Sequence, residues 1–302
     1  MAQGNNESMS MNKSAEWASA AVWQPQEIEE AWDLKEEYRD NAVFIAGGTL
    51  LQLLREQGTL LPRYLISLEK VEALHGISME ENQLKIGALT TLDLCRMNIN
   101  VFQKWMILAE AIKVVASPAV RNRATIGGNV CCLVGDLVPA LLALDAEVTF
   151  FDRKSFIKVS IDSFLQYENL TDAILVALTV PDPVENAWSF YEKTGRREAL
   201  IPSLVTLAAT AVCNRRGEIK HIRLAAGGGT TFPRRLIESE CWLMGQTWNK
   251  VDLGELYNRV HGEFQPAADS FATESYRKTV AANLLVSKLE ENHSKETVVW
   301  NP

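Results

Sequence analysis

Little in this chain could hold a metal. Its 302 residues include only five cysteines, Cys95, Cys131, Cys132, Cys213 and Cys241, with no CxxC pair and no clustered quartet. That spacing argues against a disulfide framework and against a self-contained zinc or iron–sulfur site. The adjacent Cys131 and Cys132 cannot easily converge on one ion and read as buried thiols. The four histidines (His75, His221, His261, His293) lie far apart without ligand or triad spacing and read as structural. The 30 Lys and Arg are scattered and outnumbered by 38 Asp and Glu, which leaves no electrostatic footprint for nucleic acid. Long apolar runs are missing too. The longest, residues 137 to 144, is far short of a bilayer span and contains Pro139, and the opening MAQGNNESMSMNKS has no apolar core of signal-peptide length. The expectation is a cytoplasmic protein that engages no membrane. GxGxxG and GxxxxGK(S/T) are both absent, which removes the two commonest nucleotide folds.

What is present suits a globular chain of two or three domains, 47% hydrophobic and 23% charged. Residues 1 to 17, rich in Ser, Asn and Met without periodicity, read as a disordered tail. Residues 26 to 38 suit an amphipathic helix. A strand at 42 to 46 then runs into Gly47-Gly48-Thr49 and a helix that Gly58 stops. Further strands are expected at 63 to 68, 83 to 88 and 147 to 151, and helices at 92 to 97, 104 to 116 and 137 to 144. Thr90 and Asp93 have capping-box spacing, and Pro118 follows the 104 to 116 helix. The prolines around Asp182 mark a domain boundary. Beyond it, 203 to 213 and 219 to 226 read as a hairpin about a turn at 214 to 218, followed by helices near 236 to 246, 251 to 261 and 272 to 290. The fold class is α+β, with interleaved strands and helices first and a sheet backed by helices second.

Two glycine pairs stand out: Phe44-Ile45-Ala46-Gly47-Gly48-Thr49-Leu50-Leu51, and Thr125-Ile126-Gly127-Gly128-Asn129 about eighty residues later. A dinucleotide diphosphate needs backbone N–H groups with no Cβ in the way, and glycine provides them while permitting positive φ. The hydroxyls of Thr49 and Thr125 can add donors. Each pair alone reads equally as a turn.

Taken in order, FIAGGTLL at 44–51, RNRATIGGNV at 121–130, GDLVPALLALDAEV at 135–148, AILVALTVP at 173–181, FYEKTGRREALIPSLVTLA at 190–208 and LAAGGGTTFPRR at 224–235 resemble the FAD-binding subunit of the xanthine dehydrogenase and carbon monoxide dehydrogenase family of molybdenum hydroxylases. The resemblance implies a two-lobed, PCMH-type FAD-binding domain at 18–183 and a C-terminal domain at 184–295. It implies that 44–51 and 125–129 wrap the diphosphate and ribityl parts of FAD, and that Val115 contacts the cofactor. It further implies that Leu175 lies against the isoalloxazine ring, Lys193 near its pyrimidine edge, and Asp136 near the ribityl chain or ring. A cation at that edge would stabilise the negative charge that reduction puts on N1 and C2=O. Between Asn129 and Asp136 the stretch VCCLVG is about two residues shorter than is usual in the family, so that side of the pocket is expected to be shorter or differently shaped.

Each assignment has a plainer reading. Asp136 precedes a helix and could be its N-cap, Lys193 could be a solvated surface lysine, and Val115 and Leu175 are core residues under any hypothesis. The resemblance implies that substrate is hydroxylated on a molybdopterin-binding subunit and that electrons arrive through 2Fe-2S clusters of an iron–sulfur subunit. They leave from FAD to NAD+, no side chain acting as acid, base or nucleophile. Segments near 190 to 200 look most like xanthine dehydrogenase subunits of purine catabolism. Three alternatives stay open: a flavin subunit for carbon monoxide, an aldehyde or an N-heterocycle with quinone or oxygen as acceptor; a stand-alone flavin reductase of the cell-wall enolpyruvyl type; and a non-catalytic assembly subunit without FAD.

Overall fold

The computed structural model describes residues 20–167, 173–195 and 203–298, with side chains to residue 292. The tail at 1–17 and part of the segment at 190–208 lie outside the described residues. The chain starts in a small lobe built from β1 (Ala21–Trp23), α1 (Ile28–Tyr38), β2 (Ala42–Ile45), α2 (Thr49–Glu56) and β3 (Tyr64–Ser67). The strands form a parallel sheet of order β1-β3-β2. Helix α1 buries Ile28, Ala31, Trp32 and Lys35, the spacing of one helical face. Lys35 tolerates that position because its ammonium donates to the carbonyls of Arg39 and Ala42, both at 3.0 Å.

The second lobe carries β4 (Ile77–Glu80), β5 (Gln83–Gly87), seven helices and three further strands. The helices are α3 (Leu92–Met97), α4 (Ile99–Lys104), α5 (Met106–Val114), α6 (Pro118–Arg121), α7 (Ile126–Cys131), α8 (Val138–Ala143) and α9 (Ile161–Leu165). The strands are β6 (Glu147–Asp152) and β7 (Ser155–Ser160) before α9, and β8 (Ile174–Val180) after it. The sheet, of order β4-β5-β8-β6-β7, is antiparallel throughout. Strand β8 lies at its centre, with Ile174 in the core of the small lobe and Leu175, Leu178 and Val180 in the larger core beneath the helices. A strand covered on both faces reads as a continuous apolar run, as AILVALTV does.

One expectation for this lobe fails and one is met. The helix expected over 104 to 116 is α5, separated from α4 by Trp105, whose ring is fully buried and whose indole N–H donates to Pro181 O at 2.8 Å. Satisfying that donor fixes the ring, and the backbone bends there to suit. Thr90 is not the cap of α3. Thr91 is, accepting from Leu94 N, while the Thr90 hydroxyl is held between the N–H and C=O of Gly76.

The C-terminal domain is a four-stranded antiparallel sheet, β9 (Trp188–Thr194), β10 (Val205–Cys213), β11 (Ile219–Gly228) and β12 (Thr231–Arg235), in the order β12-β11-β10-β9. It is covered by α10 (Ile237–Leu243), α11 (Leu253–Glu263) and α12 (Glu274–Val298). The expected hairpin and helices are present, and β9 and β12 flank them. Alternate residues explain how this sheet joins the rest. Val205, Leu207, Ala209, Leu224 and Ala226 face the helical layer, whereas Ala208 and Ala225 belong to the core of the second lobe. Small side chains on that face let α8 lie directly on the strands, and Thr210 donates to Ala143 O at 2.8 Å across the seam. No described helix is long and apolar enough to cross a membrane.

Candidate flavin site

Gly47 and the segment before Thr125 meet. A Cβ built on Gly47 would lie 1.8 Å from the carbonyl oxygen of Arg123 and 3.3 Å from Ala124 Cα, so the two lobes touch here only because residue 47 has no side chain. Gly48 is different. Its φ is +72° and nothing lies within 4 Å of its Cβ position, so the backbone turns into α2 with an open side. Among the described residues, the backbone N–H groups of Ala46, Gly47, Gly48, Thr49, Leu50 and Leu51 have no protein acceptor. Six consecutive unpartnered donors at a helix start are the arrangement that can receive an anion. Arg123, whose Nε lies 3.4 Å from Gly47 O, and Arg121 beside it form no ion pair with any described carboxylate, so the local charge is positive.

The second glycine pair is built the other way. Ile126 N donates to Thr90 O at 3.0 Å, Gly127 N to Ala88 O at 2.9 Å, Gly128 N to the Thr125 hydroxyl at 3.1 Å and Asn129 N to Thr125 O at 3.0 Å. All four donors are therefore committed within the protein, contrary to the expectation that both pairs offer N–H groups. A Cβ on Gly127 would meet Ala88 Cβ and O at 2.7 Å, so this glycine serves close packing of α7 on the end of β5. Thr125 is the N-cap of α7, almost wholly buried, and its hydroxyl hydrogen remains the donor this loop can present.

From Asn129 the contacts lead on to Asp136. Gly135 packs so closely that a Cβ there would fall 2.0 Å from Asn129 O, and the Asn129 side chain accepts from Leu137 N at 3.1 Å. The short VCCLVG stretch closes through this contact and through Leu133 at φ +61°. Asp136 does not cap α8. Its carboxylate instead accepts from Lys193 Nζ at 2.7 Å and from the Ser203 hydroxyl at 2.5 Å, and its carbonyl accepts from the Tyr191 hydroxyl at 2.7 Å. The side chains of Asp136 and Lys193 are 16% and 15% exposed, so Lys193 is not a solvated surface lysine. Burial, and then the Asp136 charge, push the Tyr191 phenol well above its ordinary range, and it stays a donor at physiological pH. Lys193 also donates to Val114 O at 3.2 Å, next to the buried Val115, while Arg121 donates to Val115 O at 3.0 Å and Ala116 O at 2.7 Å.

Contacts thus link Gly47 to Arg123, Arg121 to Val115, Lys193 to Val114 and Asp136, and the Asn129 turn to Gly135 beside Asp136. Of the residues expected at the site, Gly47 lies against the segment before Thr125, and Asp136 pairs with Lys193, while Leu175 is buried in β8 opposite Phe150 and shares a hydrophobic cluster with Val115 and Tyr191. Sequence reasoning missed Arg121, Arg123, Gly135, Tyr191 and Ser203. Basic residues directly before the second glycine loop were the available signal. A cavity of about 470 Å³ lies at the other end of β9, between Trp188, Trp248 and the 214–217 turn, and is lined by none of the residues expected at the site.

The thiols correct one expectation. Cys131 is exposed, and Cys132 is half-buried with its Sγ 3.0 Å from Asn129 O. Cys95 is buried, and desolvation pushes its thiol up to about 12, so it is a protonated core residue. No group of three or more potential ligands for a metal occurs among the described residues.

Family comparison agrees with this geometry. Residues 15–183 match the FAD binding domain in molybdopterin dehydrogenase, and residues 189–291 match the CO dehydrogenase flavoprotein C-terminal domain. The chain belongs to this family and is an oxidoreductase subunit whose cofactor is FAD. It is 28% identical over 269 residues to the 6-hydroxypseudooxynicotine dehydrogenase complex subunit alpha of Paenarthrobacter nicotinovorans, covering 85% of this chain and 89% of that one. It is 27% identical over 249 residues to the xanthine dehydrogenase FAD-binding subunit of Escherichia coli O157:H7, covering 78% and 83%. A carbon monoxide dehydrogenase chain from Hydrogenophaga pseudoflava superposes with a TM-score of 0.83 at 24% identity, covering 90% of this chain and 96% of that one, which establishes the fold.

Proposed function

We propose that residues 44–51 hold the FAD diphosphate on the free N–H row of the first loop, with Thr125 and the second loop completing the cradle from the other lobe. In this reading Arg123 and Arg121 offset the diphosphate charge, and Val115 and Leu175 supply apolar wall. Lys193 and Asp136 stand where the flavin end of the crevice is reached from the C-terminal domain. Bound FAD supplies a carrier that can take electrons singly and release them as a pair. This chain's own part is to bind, orient and shield that carrier, and none of these residues need act as acid, base or nucleophile. The single observation that supports the reading most is the row of six unpartnered N–H groups beginning where the two lobes touch.

Because the described residues hold no metal cluster, we take the electrons to come from 2Fe-2S clusters on an iron–sulfur subunit, fed by a molybdopterin-binding subunit, in a cytoplasmic complex. For substrate and acceptor we propose xanthine or hypoxanthine and NAD+. A second reading has equal support: the relative at 28% identity acts on a hydroxypseudooxynicotine, so an N-heterocycle with a different acceptor fits as well. Purification of the chain tests the shared part. A yellow protein with stoichiometric FAD is expected, and a colourless one with this crevice intact would overturn it. Reduction of an artificial dye by NADH then separates the two readings, since only an NAD-linked subunit accepts electrons from NADH.

A further inference from the structure

The Asp136–Lys193 pair joins the two domains, and its surroundings go beyond what an interdomain contact requires. Lys193 has three donors. One goes to Asp136 at 2.7 Å and one to Val114 O at 3.2 Å, which leaves one without an acceptor among the described residues. Asp136 is held on every side: Lys193 on one oxygen, Ser203 on the other, and Tyr191 on the carbonyl of the same residue. Ser203 is itself fixed, 3.4 Å from Gly229 N. At the other end of α8, Asp145 is gripped in the same way from the C-terminal sheet, by Arg223 at 2.7 Å, but that carboxylate is 40% exposed. A pair screened by water there would suffice as a clasp. The Asp136 pair is the less exposed one, and Asp136 adjoins the second glycine loop through Gly135 against Asn129.

We propose that Asp136 is a charge-setting positioning residue. It pins the Lys193 ammonium at one point and cancels most of its field, so that the crevice meets one N–H donor of a neutral pair rather than a free cation. Ser203 moderates the cancellation by drawing charge from the second carboxylate oxygen. Inside a protein such a pair acts in a low dielectric, so removing either half exposes the other's charge. This inference rests on the flavin-site reading above, and it changes one part of it: Lys193 alone would favour the reduced, more negative flavin, whereas the pair holds that preference down.

The test is the flavin midpoint potential of the FAD-bearing protein, measured by spectroelectrochemistry, in three variants whose expected shifts differ in sign. Asp136→Asn leaves the cation uncompensated and shifts the potential up. Lys193→Met leaves the carboxylate uncompensated and shifts it down. Ser203→Ala concentrates the carboxylate charge on the pair and shifts it down by less, and it keeps the test open should Asp136→Asn fail to fold. A purely structural clasp would move all three in one direction, through loosening, or move none. Either result overturns the proposal while leaving FAD binding untouched. A wild-type protein without FAD would instead overturn the function on which the proposal rests.

Discussion

The pair Gly47-Gly48 sits between a strand and an eight-residue helix, and the pair Gly127-Gly128 sits inside a six-residue helix. In sequence the two look alike, each a Gly-Gly with a threonine at hand. In the fold the first leaves its N–H groups without acceptors, whereas the second has both committed, to the Ala88 carbonyl and to the Thr125 hydroxyl. The difference teaches that glycine has two separable uses in one site. At Gly48 it permits a left-handed turn with open space beside it, while at Gly47 and Gly127 it permits backbones to touch. Only the first loop has N–H groups without protein acceptors, and the close approach joins the two lobes at Gly47 but packs α7 on β5 within one lobe at Gly127.

That contrast can be broken at its strongest point. Gly47→Ala places a methyl 1.8 Å from the Arg123 carbonyl, and backbone cannot yield as a flexible side chain would. The lobes should separate locally, with loss of FAD from the purified protein and a stability loss at or above the usual overpacking cost of about 1–3 kcal/mol, read by flavin absorbance and denaturant unfolding. Gly127→Ala meets Ala88 at 2.7 Å and should cost a similar ~1–3 kcal/mol, but its flavin content should fall less, because the row of free donors lies on the other loop and is not displaced. Full flavin loss in Gly127→Ala with retention in Gly47→Ala would reverse the roles given to the loops.

The sharper comparison uses two mild changes of nearly equal stability cost. Gly48→Ala meets no atom within 4 Å but forces a side chain to φ +72°, for about 1–2 kcal/mol. Thr125→Ala removes an N-cap, for roughly 1 kcal/mol. If the first loop is the cradle, FAD affinity measured by fluorescence titration should drop at least about tenfold in Gly48→Ala, where the new methyl fills the ligand's side, equivalent to ~1.4 kcal/mol. It should drop less in Thr125→Ala. Equal losses in the two variants would mean that flavin binding follows helix stability rather than loop geometry.

Much of this architecture was legible beforehand. The helical pattern at 26 to 38, the apolar spacing that gives α5 and the 214–218 turn each specify their element locally. What was misjudged depended on distant partners. Thr90 leaves its capping role to Thr91 because Gly76 is at hand. Asp136 has the local signature of an N-cap, yet Lys193 and Ser203 claim it from another domain. Arg121 and Arg123 lay in plain view before the second glycine loop, and nothing local distinguished them from ordinary surface arginines.

By itself the sequence determined the periodicities, the turn positions and the order of six segments, enough for the α+β class, the family and FAD as the cofactor. Those are properties of short stretches, and hydrophobic pattern and turn chemistry encode them directly. Only the tertiary structure decided which glycine loop has N–H groups without acceptors, that Gly47 and Arg123 touch, and that Lys193 pairs with Asp136. Each depends on where backbone hydrogen bonds and charges from remote segments end up, and pairing across such distances is written in no local pattern.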